Sequence, residues 1–314
     1  MADYDIFNGD ADGIISLVQL RRAEPRKAQL VTGRKRDINL LAKVRAGRGD
    51  NLTVLDISMR SNQKDLTRIL AAGANVFYVD HHNAGDMPDH ENLAAIIDTS
   101  PEMCTAILVD TVLEGAYRAW AVCAAFGDNF PRLAREKAKG YDLPLGRLQR
   151  LGMLVNYNGY GADVTDLLYH PKDLYLELAD FDTPMEFLQE NTAVFQKLEA
   201  GFESDLSAAK AAQIMDEADG GLILALENNA SSRRISGVFG NQLAQDNPDR
   251  AHAILTRQSG GFLVSIRAPL AKRSGADILA MQFETGGGRS AAAGINHLPD
   301  AELDRFIKAF RGAF

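Results

Sequence analysis

Residues 51–57, Asn51-Leu52-Thr53-Val54-Leu55-Asp56-Ile57, and residues 75–82, Asn75-Val76-Phe77-Tyr78-Val79-Asp80-His81-His82, decide the fold. Residues 52–57 are a short apolar run with a β-branched share, the pattern of a buried strand. Residues 62–72 place apolar side chains at helical spacing and stop at Gly73, a residue that takes the left-handed conformation that ends helices. Residues 75–79 are again a short buried strand. Strand, helix and strand at this spacing make a parallel pair with a crossover.

The same alternation extends outward. Upstream, residues 4–7 read as a strand, 14–21 as a helix, 29–32 as a strand and 38–44 as a helix. Downstream, 93–98 is a further strand. This repetition predicts a parallel sheet covered by helices on both faces. Residues 101–212 are mostly helical, with Pro101 at the first position of one helix, another over 143–155, and a long charged stretch over 185–212 that reads as a connecting helix. The pattern then resets. Strands are expected over 221–226, 251–256, 262–267 and 291–295, and helices over 236–245, 276–283 and 301–310. The fold class is therefore α/β, a parallel-sheet N-terminal domain plus a smaller C-terminal α/β domain joined by a long helix. The expected divisions are 1–184, 185–214 and 215–314.

Composition narrows the class. The chain has 314 residues, 46% of them hydrophobic and 24% charged, enough apolar material for two cores. No apolar run reaches the roughly 18 residues that span a membrane, so no membrane association is expected. Residues 1–7 carry Asp3 and Asp5 and no basic cluster, unlike a signal peptide. Cys104 and Cys123 are too few for a disulfide framework and read as buried thiols in a reducing, cytoplasmic setting. A net charge of −8 argues against a grip on long duplex nucleic acid, which wants a basic face. It leaves room for a small anionic substrate, because acids gathered around metal ions form a positive site once loaded.

Four segments place acids or histidines just past an expected element end: Asn8-Gly9-Asp10-Ala11-Asp12-Gly13, Asp56, Asp80-His81-His82, and Asp128 after Ala125-Phe126-Gly127. Each has a plain structural reading. Asp-x-Asp-Gly is a common turn, and a lone Asp56 is a helix cap. Carboxylate or imidazole at three successive strand ends is poorly explained that way, because those ends form the edge where ligands collect. An oxygen-rich set with one or two imidazoles suits Mn²⁺ or Mg²⁺ better than structural zinc.

At these residues the chain resembles the DHH phosphoesterase superfamily. Asp80-His81-His82 and residues 8–13 resemble its two metal-binding motifs. Gly286-Gly287-Gly288-Arg289-Ser290-Ala291-Ala292-Ala293-Gly294 resembles the glycine-rich signature of the DHHA1 subgroup, and Val264-Ser265-Ile266-Arg267 its serine-x-arginine strand. That subgroup holds RecJ-type exonucleases, nanoRNA phosphatases and phosphoadenosine phosphatases. The motifs run from one end of the chain to the other in the family's order. The resemblance implies two Mn²⁺ or Mg²⁺ ions, with Asp10 on the first, Asp12 on the second, Asp56 bridging, and His81 and Asp128 completing the second. It implies that His82 meets the substrate phosphate and that Asp80 orients the histidines. Two ions about 3.5–4 Å apart would activate a bridging water for in-line attack on phosphorus. One departure stands out. Family members often carry His or Asp two residues before the first motif aspartate, or His four before it; this chain has Asn8 and Ile6 there, leaving the first ion to Asn8 or water.

In the second domain, Gly286, Gly287 and Gly288 would let backbone N–H groups approach a phosphate, with Ser265, Arg267 and Arg289 as side-chain donors; the plain reading of the stretch is a flexible hairpin loop with solvated arginines. His297, shortly after, reads either as part of the phosphate site or as strand packing. Two weaker features remain. Arg34-Lys35-Arg36 reads either as a track for further phosphates or as a solvated basic loop. Asn156-Tyr157-Asn158-Gly159-Tyr160-Gly161 reads either as a base-stacking lining or as a packed helix end. Cys104, Trp120 and Cys123 read as core. The expected substrate is a short oligonucleotide or phosphonucleotide, with polyphosphate as the second reading and a non-catalytic nucleotide sensor as the third. A homodimer is the assembly left open.

Overall fold

Sheet A is built from apolar runs too short for helices. Its strands are β1 (Asp3–Phe7), β2 (Gln29–Val31), β3 (Asn51–Leu55), β4 (Asn75–Asp80) and β5 (Leu93–Ile97). They lie in the order β2-β1-β3-β4-β5, and every neighbouring pair is parallel. The structure, a computed structural model, describes residues 1–314 and forms two compact units, Met1–Ala200 and Gly201–Phe314. The helices of the first unit are α1 (Ala11–Ala23), α2 (Met59–Ala71), α3 (Thr105–Val112), α4 (Arg118–Gly127), α5 (Pro131–Lys137), α6 (Leu145–Asn158), α7 (Pro171–Ala179) and α8 (Pro184–Glu190).

On one face Ile6, Val54 and Tyr78 bury against Leu66 and Ile69 of α2 and the turn Leu40–Lys43. Tyr78 is fully buried because its hydroxyl donates to the Ile57 carbonyl at 2.7 Å. On the other face lies α1. Residues 11–21 are all buried, since α3, α4, α6 and α7 pack around the helix. A helix covered on every side is the kind that sits inside a unit. Its buried cation, Arg21, donates to Asp5 at 2.8 Å and to Thr53 at 2.8 Å, so the guanidinium enters the core already paired.

Several expected elements differ. The helix over 38–44 is a single 3₁₀ turn, Leu40–Lys43. Pro101 lies in a turn, and α3 starts four residues later at Thr105, where another part of the chain caps its N–H groups. The connecting helix over 185–212 is two helices, α8 and α9 (Thr192–Lys210), interrupted at Asn191. Asn191 leaves helical geometry, and its amide donates to Glu177 at 2.8 Å. The periodic pattern runs on through the break because both helices bury the same face type.

The second unit, which opens with the last turns of α9, holds a six-stranded sheet in the order β10-β11-β9-β8-β7-β6. Its elements are β6 (Gln213–Ala218), β7 (Gly221–Leu226), α10 (Ala230–Asp246), β8 (Ala251–Gln258), β9 (Gly261–Arg267), α11 (Ala276–Ala280), β10 (Gly286–Arg289), β11 (Ala292–Pro299) and α12 (Leu303–Ala313). Only β7 and β8 pair in parallel; the other pairs are antiparallel. Val264, Ile266, Leu279, Ile295, Phe306 and Phe310 lie in one core. The glycine-rich stretch expected as a loop is the edge strand β10. A Cβ on Gly286 would lie 1.7 Å from the Ala280 carbonyl oxygen, and one on Gly288 2.5 Å from the Ala293 Cα. Those glycines are needed for close packing of the hairpin.

Candidate metal centre

In sheet A, β1 lies between β2 and β3, so the chain leaves its neighbours in opposite directions there. An open parallel sheet of this strand order has its ligand crevice past the carboxyl ends of those central strands. Asn8–Asp12 follows β1, Asp56 follows β3, and β4 ends in Asp80 followed by His81 and His82. Asp10 is the N-cap of α1, its Oδ1 accepting from the Gly13 N–H at 3.1 Å. Gly13 has no Cβ to spare, since one would lie 2.3 Å from the Asn8 carbonyl oxygen. Asp56 adopts φ +58°, the left-handed region, while its N–H still bonds the Val79 carbonyl at 3.1 Å. An Asp there costs about 1 kcal/mol or more unless its surroundings hold it. Asp128 caps α4, which lies close against α6 because Gly127 and Gly152 face each other without side chains.

These elements gather the acids around His81. Its Nε2 lies 3.5 Å from Asp56 Oδ1, 3.8 Å from Asp128 Oδ2 and 3.9 Å from Asp12 Oδ2. Those gaps are too wide for direct hydrogen bonds. They are short enough for one ion to bridge, since two atoms each about 2.1 Å from an ion stand at most about 4.2 Å apart. Asp12, His81 and Asp128 form one such group, and Asp56, His81 and His82 another. Asp12 is held by two backbone donors, Thr105 N–H at 2.7 Å and Ala106 N–H at 2.8 Å. The Thr105 hydroxyl donates to Asp56 Oδ1 at 3.2 Å. His82 Nδ1 bonds Asp80 Oδ1 at 2.7 Å, and its ring is 40% exposed, so Asp80 fixes the ring with its other nitrogen available.

The acids here crowd one another. Burial pushes the Asp56 carboxyl well above the usual carboxylate range, and Asp12, Asp10 and Asp128 push it further. Asp128 is pushed up to about 6, by burial first and by Asp12 and Asp10, with Lys35 pulling the other way. Burial would lower His82, but the Asp80 hydrogen bond and charge outweigh it and raise the ring above its ordinary value. Two groups that share His81, one with Asp12 and Asp128 and the other with Asp56 and His82, are carboxylate and imidazole sets of the kind that fit a hard divalent ion.

The basic run is where the structure departs most from expectation. Arg34 is tied back to Asp37, its Nε donating at 3.0 Å. Only Arg36 is exposed, so no phosphate track forms. Lys35 turns inward instead: its Nζ lies 2.7 Å from Asp10 Oδ2, 3.2 Å from Asp128 Oδ1 and 3.0 Å from Asn156 Oδ1. Asn8 donates its amide N–H to the Lys35 carbonyl at 3.3 Å, and its Oδ1 is buried with no hydrogen-bond partner. In the cluster that ends α6, Tyr157 is buried packing, Asn156 reaches Lys35, and the Tyr160 ring lies 5.5 Å from Lys35 Nζ. Thr105 is the site residue that sequence reasoning missed, and Lys35, read there as part of a phosphate track or a solvated loop, instead pairs with the acids. For Lys35 the signal lay in Asn8, the departure at the first motif.

In the second unit, Arg289, Ala292 and Arg267 are successive partners across three strands, and Gly287, Gly294 and Ser265 form the next row on that face. Arg267 is braced by Asn241 at 2.8 Å and by the Ser265 hydroxyl at 2.9 Å. His297 lies toward the other end of β11, near Gln258 at 3.0 Å, five residues from Ala292, and does not join that row.

A doubly wound parallel sheet with Asp-x-Asp after β1 and Asp-His-His after β4, followed by a second α/β unit, is the architecture of DHH-domain proteins, and this chain has that fold. Among solved structures it is similar over 99% of its length to a DHH-domain protein described as a member of a family of ribosomal proteins, at TM-score 0.63 and 14% identity, covering 86% of that chain. It is equally similar to exonuclease RecJ bound to manganese, at TM-score 0.63 and 15% identity over 99% of this chain and 89% of that one. A pGpG-specific phosphodiesterase, PggH of Vibrio cholerae, matches at TM-score 0.56 and 17% identity, over 99% of this chain and 100% of that one. No protein-family profile and no curated protein matches the chain. No helix is long and apolar enough to cross a membrane.

Proposed function

We propose that the chain is a divalent-metal-dependent phosphoesterase that hydrolyses short oligonucleotides or phosphonucleotides. The observation that carries this is the convergence of Asp12, Asp56 and Asp128 on His81 Nε2 at the sheet's switch point. The fold shared with RecJ and with a pGpG phosphodiesterase supports the same reaction class. A Mn²⁺ or Mg²⁺ ion held by these residues supplies Lewis-acid charge to phosphoryl oxygens and to water.

The chain's own groups do the rest. Asp56, Asp12 and Asp128 carry the negative charge that holds the ion, and the Thr105 hydroxyl fixes the Asp56 oxygen that faces His81. Asp80 accepts from the His82 Nδ1–H and its charge favours the protonated ring, in which Nε2 presents a second N–H to a phosphate oxygen. Ser265, Arg267, Gly287 and Arg289, all on one sheet face, are the proposed phosphate contacts of the second unit, in a DHHA1-like role. Polyphosphate is the second reading: the fold is also that of an exopolyphosphatase-related protein, while Arg34 and Lys35 are paired with Asp37 and Asp10 and leave Arg36 as the exposed cation of the run.

The test is a product assay in excess Mn²⁺ on a dinucleotide, phosphoadenosine phosphate and polyphosphate, with an oligonucleotide length series. Release of mononucleotide or phosphate from the first two, with kcat/KM falling as length rises, is expected. A rate that rises with length and falls steeply with salt would replace this reading with a long-strand exonuclease.

A further inference from the structure

Resting on the metal-dependent reading above, we propose that Lys35 permanently fills one of the two cation positions, so that the active protein holds a single divalent ion beside a built-in ammonium. An ammonium has three N–H donors. Lys35 Nζ has three oxygens around it, from Asp10, Asp128 and Asn156. Asp10 is the residue whose counterpart would hold a first ion. Its Oδ1 is used by the Gly13 N–H and its Oδ2 faces Lys35 at 2.7 Å, so each oxygen of Asp10 already has a donor. Asp128 lies between the two positions, with Oδ1 toward Lys35 at 3.2 Å and Oδ2 toward His81 at 3.8 Å. That is the placement of a carboxylate shared by two cations.

The backbone is shaped to deliver this lysine. Gly9 meets the loop so closely that a Cβ would lie 1.7 Å from the Gly33 carbonyl oxygen. The Lys35 N–H donates to the Gly159 carbonyl at 2.9 Å, and Asn8 holds the Lys35 carbonyl. Asn8 stands where an imidazole or carboxylate would have to be for an ion. Its Oδ1 is buried without a hydrogen-bond partner, one neutral oxygen set against a charged, fully bonded ammonium. A divalent ion on Asp10 Oδ2 would meet the like charge of Nζ, which lies 2.7 Å from that oxygen.

The test counts metal. Protein dialysed against MnCl₂ is measured by elemental analysis and by electron paramagnetic resonance, for wild type, Lys35→Ala and Asp10→Asn. Wild type should hold one Mn²⁺ per chain with the spectrum of an isolated ion. Lys35→Ala should take up a second, giving the exchange-coupled spectrum of a pair. Asp10→Asn keeps the helix cap and should bind its single ion within about threefold of wild-type affinity. Two ions in wild type, or an ion lost from Asp10→Asn, would overturn the inference while leaving the metal-dependent reading intact. One ion in a folded Lys35→Ala would overturn it as well. No ion in any of the proteins would overturn both.

Discussion

Asp12 and Thr105 stand 93 residues apart in the chain and are joined at 2.7 Å, the Asp12 carboxylate accepting the N–H that opens α3. A second bond, from Ala106 at 2.8 Å, makes the same carboxylate both a helix cap and a face of the metal centre. Removing it leaves two buried N–H donors without partners. Asp12→Ala is therefore expected to destabilise the metal-free protein by about 2–4 kcal/mol, read as a lower urea midpoint with unchanged slope. A midpoint equal to wild type would show that the cap is dispensable.

Asp56 should behave in the opposite sense. Its carboxyl is buried and crowded by Asp12, Asp10 and Asp128, and its backbone sits at φ +58°, a conformation that Asn tolerates as well as Asp. Asp56→Asn is expected to raise the melting temperature of the metal-free protein, to abolish the gain on adding Mn²⁺, and to cut kcat about a hundredfold or more. Scanning calorimetry with and without Mn²⁺ reads the first two. A metal-free Asp56→Asn that melts below wild type contradicts the crowding argument.

How much of this was legible follows the physics of each residue. The parallel sheet was readable because its strands are short apolar runs, and the acids at strand ends were readable because strand ends share one edge. Lys35 was not. Between Arg34 and Arg36 nothing local marks one cation as buried; the selection is made by Gly9, Asn8 and Gly159, which meet its loop from elsewhere. Thr105 was hidden for a related reason, since its helix begins where Asp12 caps it and not at Pro101. The strand β10 was unreadable because glycine disfavours strands; only the carbonyl of Ala280 pressing on Gly286 explains it. The exposed edge strand β6, with a register shift between Ile214 and Asp216, has no clean alternation to read.

The centre should also respond to pH in a definite direction. The Asp128 carboxyl titrates at about 6 in the folded protein against an ordinary 3.8. Across that window the folded chain holds more protons than the unfolded one, so this group makes the metal-free protein less stable as pH rises. A divalent ion replaces the proton and reverses the effect. The rise in melting temperature produced by Mn²⁺ should thus be larger near pH 7.5 than near pH 5. Equal shifts at both would show that Asp128 does not bind the ion.

A second titration belongs to the other unit. His252 on β8 is 1% exposed, and neither ring nitrogen has a hydrogen-bond partner. Burial, aided by the Arg250 charge, lowers it from 6.5 to about 4. The folded state prefers the neutral ring, so the stability this gives is complete above the ordinary value and is lost as pH falls toward about 4, by about 2–3 kcal/mol. His252→Leu should flatten that part of the acid limb in urea titrations at stepped pH. An unchanged limb would assign the acid sensitivity to other groups.

The interior position of β1 carries a consequence for the chain as it is made. β1 precedes β2 and β3 in the chain, yet it lies between them, and β3 begins only at Asn51. Until then Ile6 and Phe7 sit in a nascent strand with an open edge, the kind of segment that pairs with other chains. Asp3, Asp5, Asp10 and Asp12 bracket it, and charges flanking an apolar strand act as gatekeepers against aggregation. Asp5 goes on to pair with Arg21 and Asp10 and Asp12 join the acidic centre, so these carboxylates are suited to guard the strand before the fold closes as well as to serve in it.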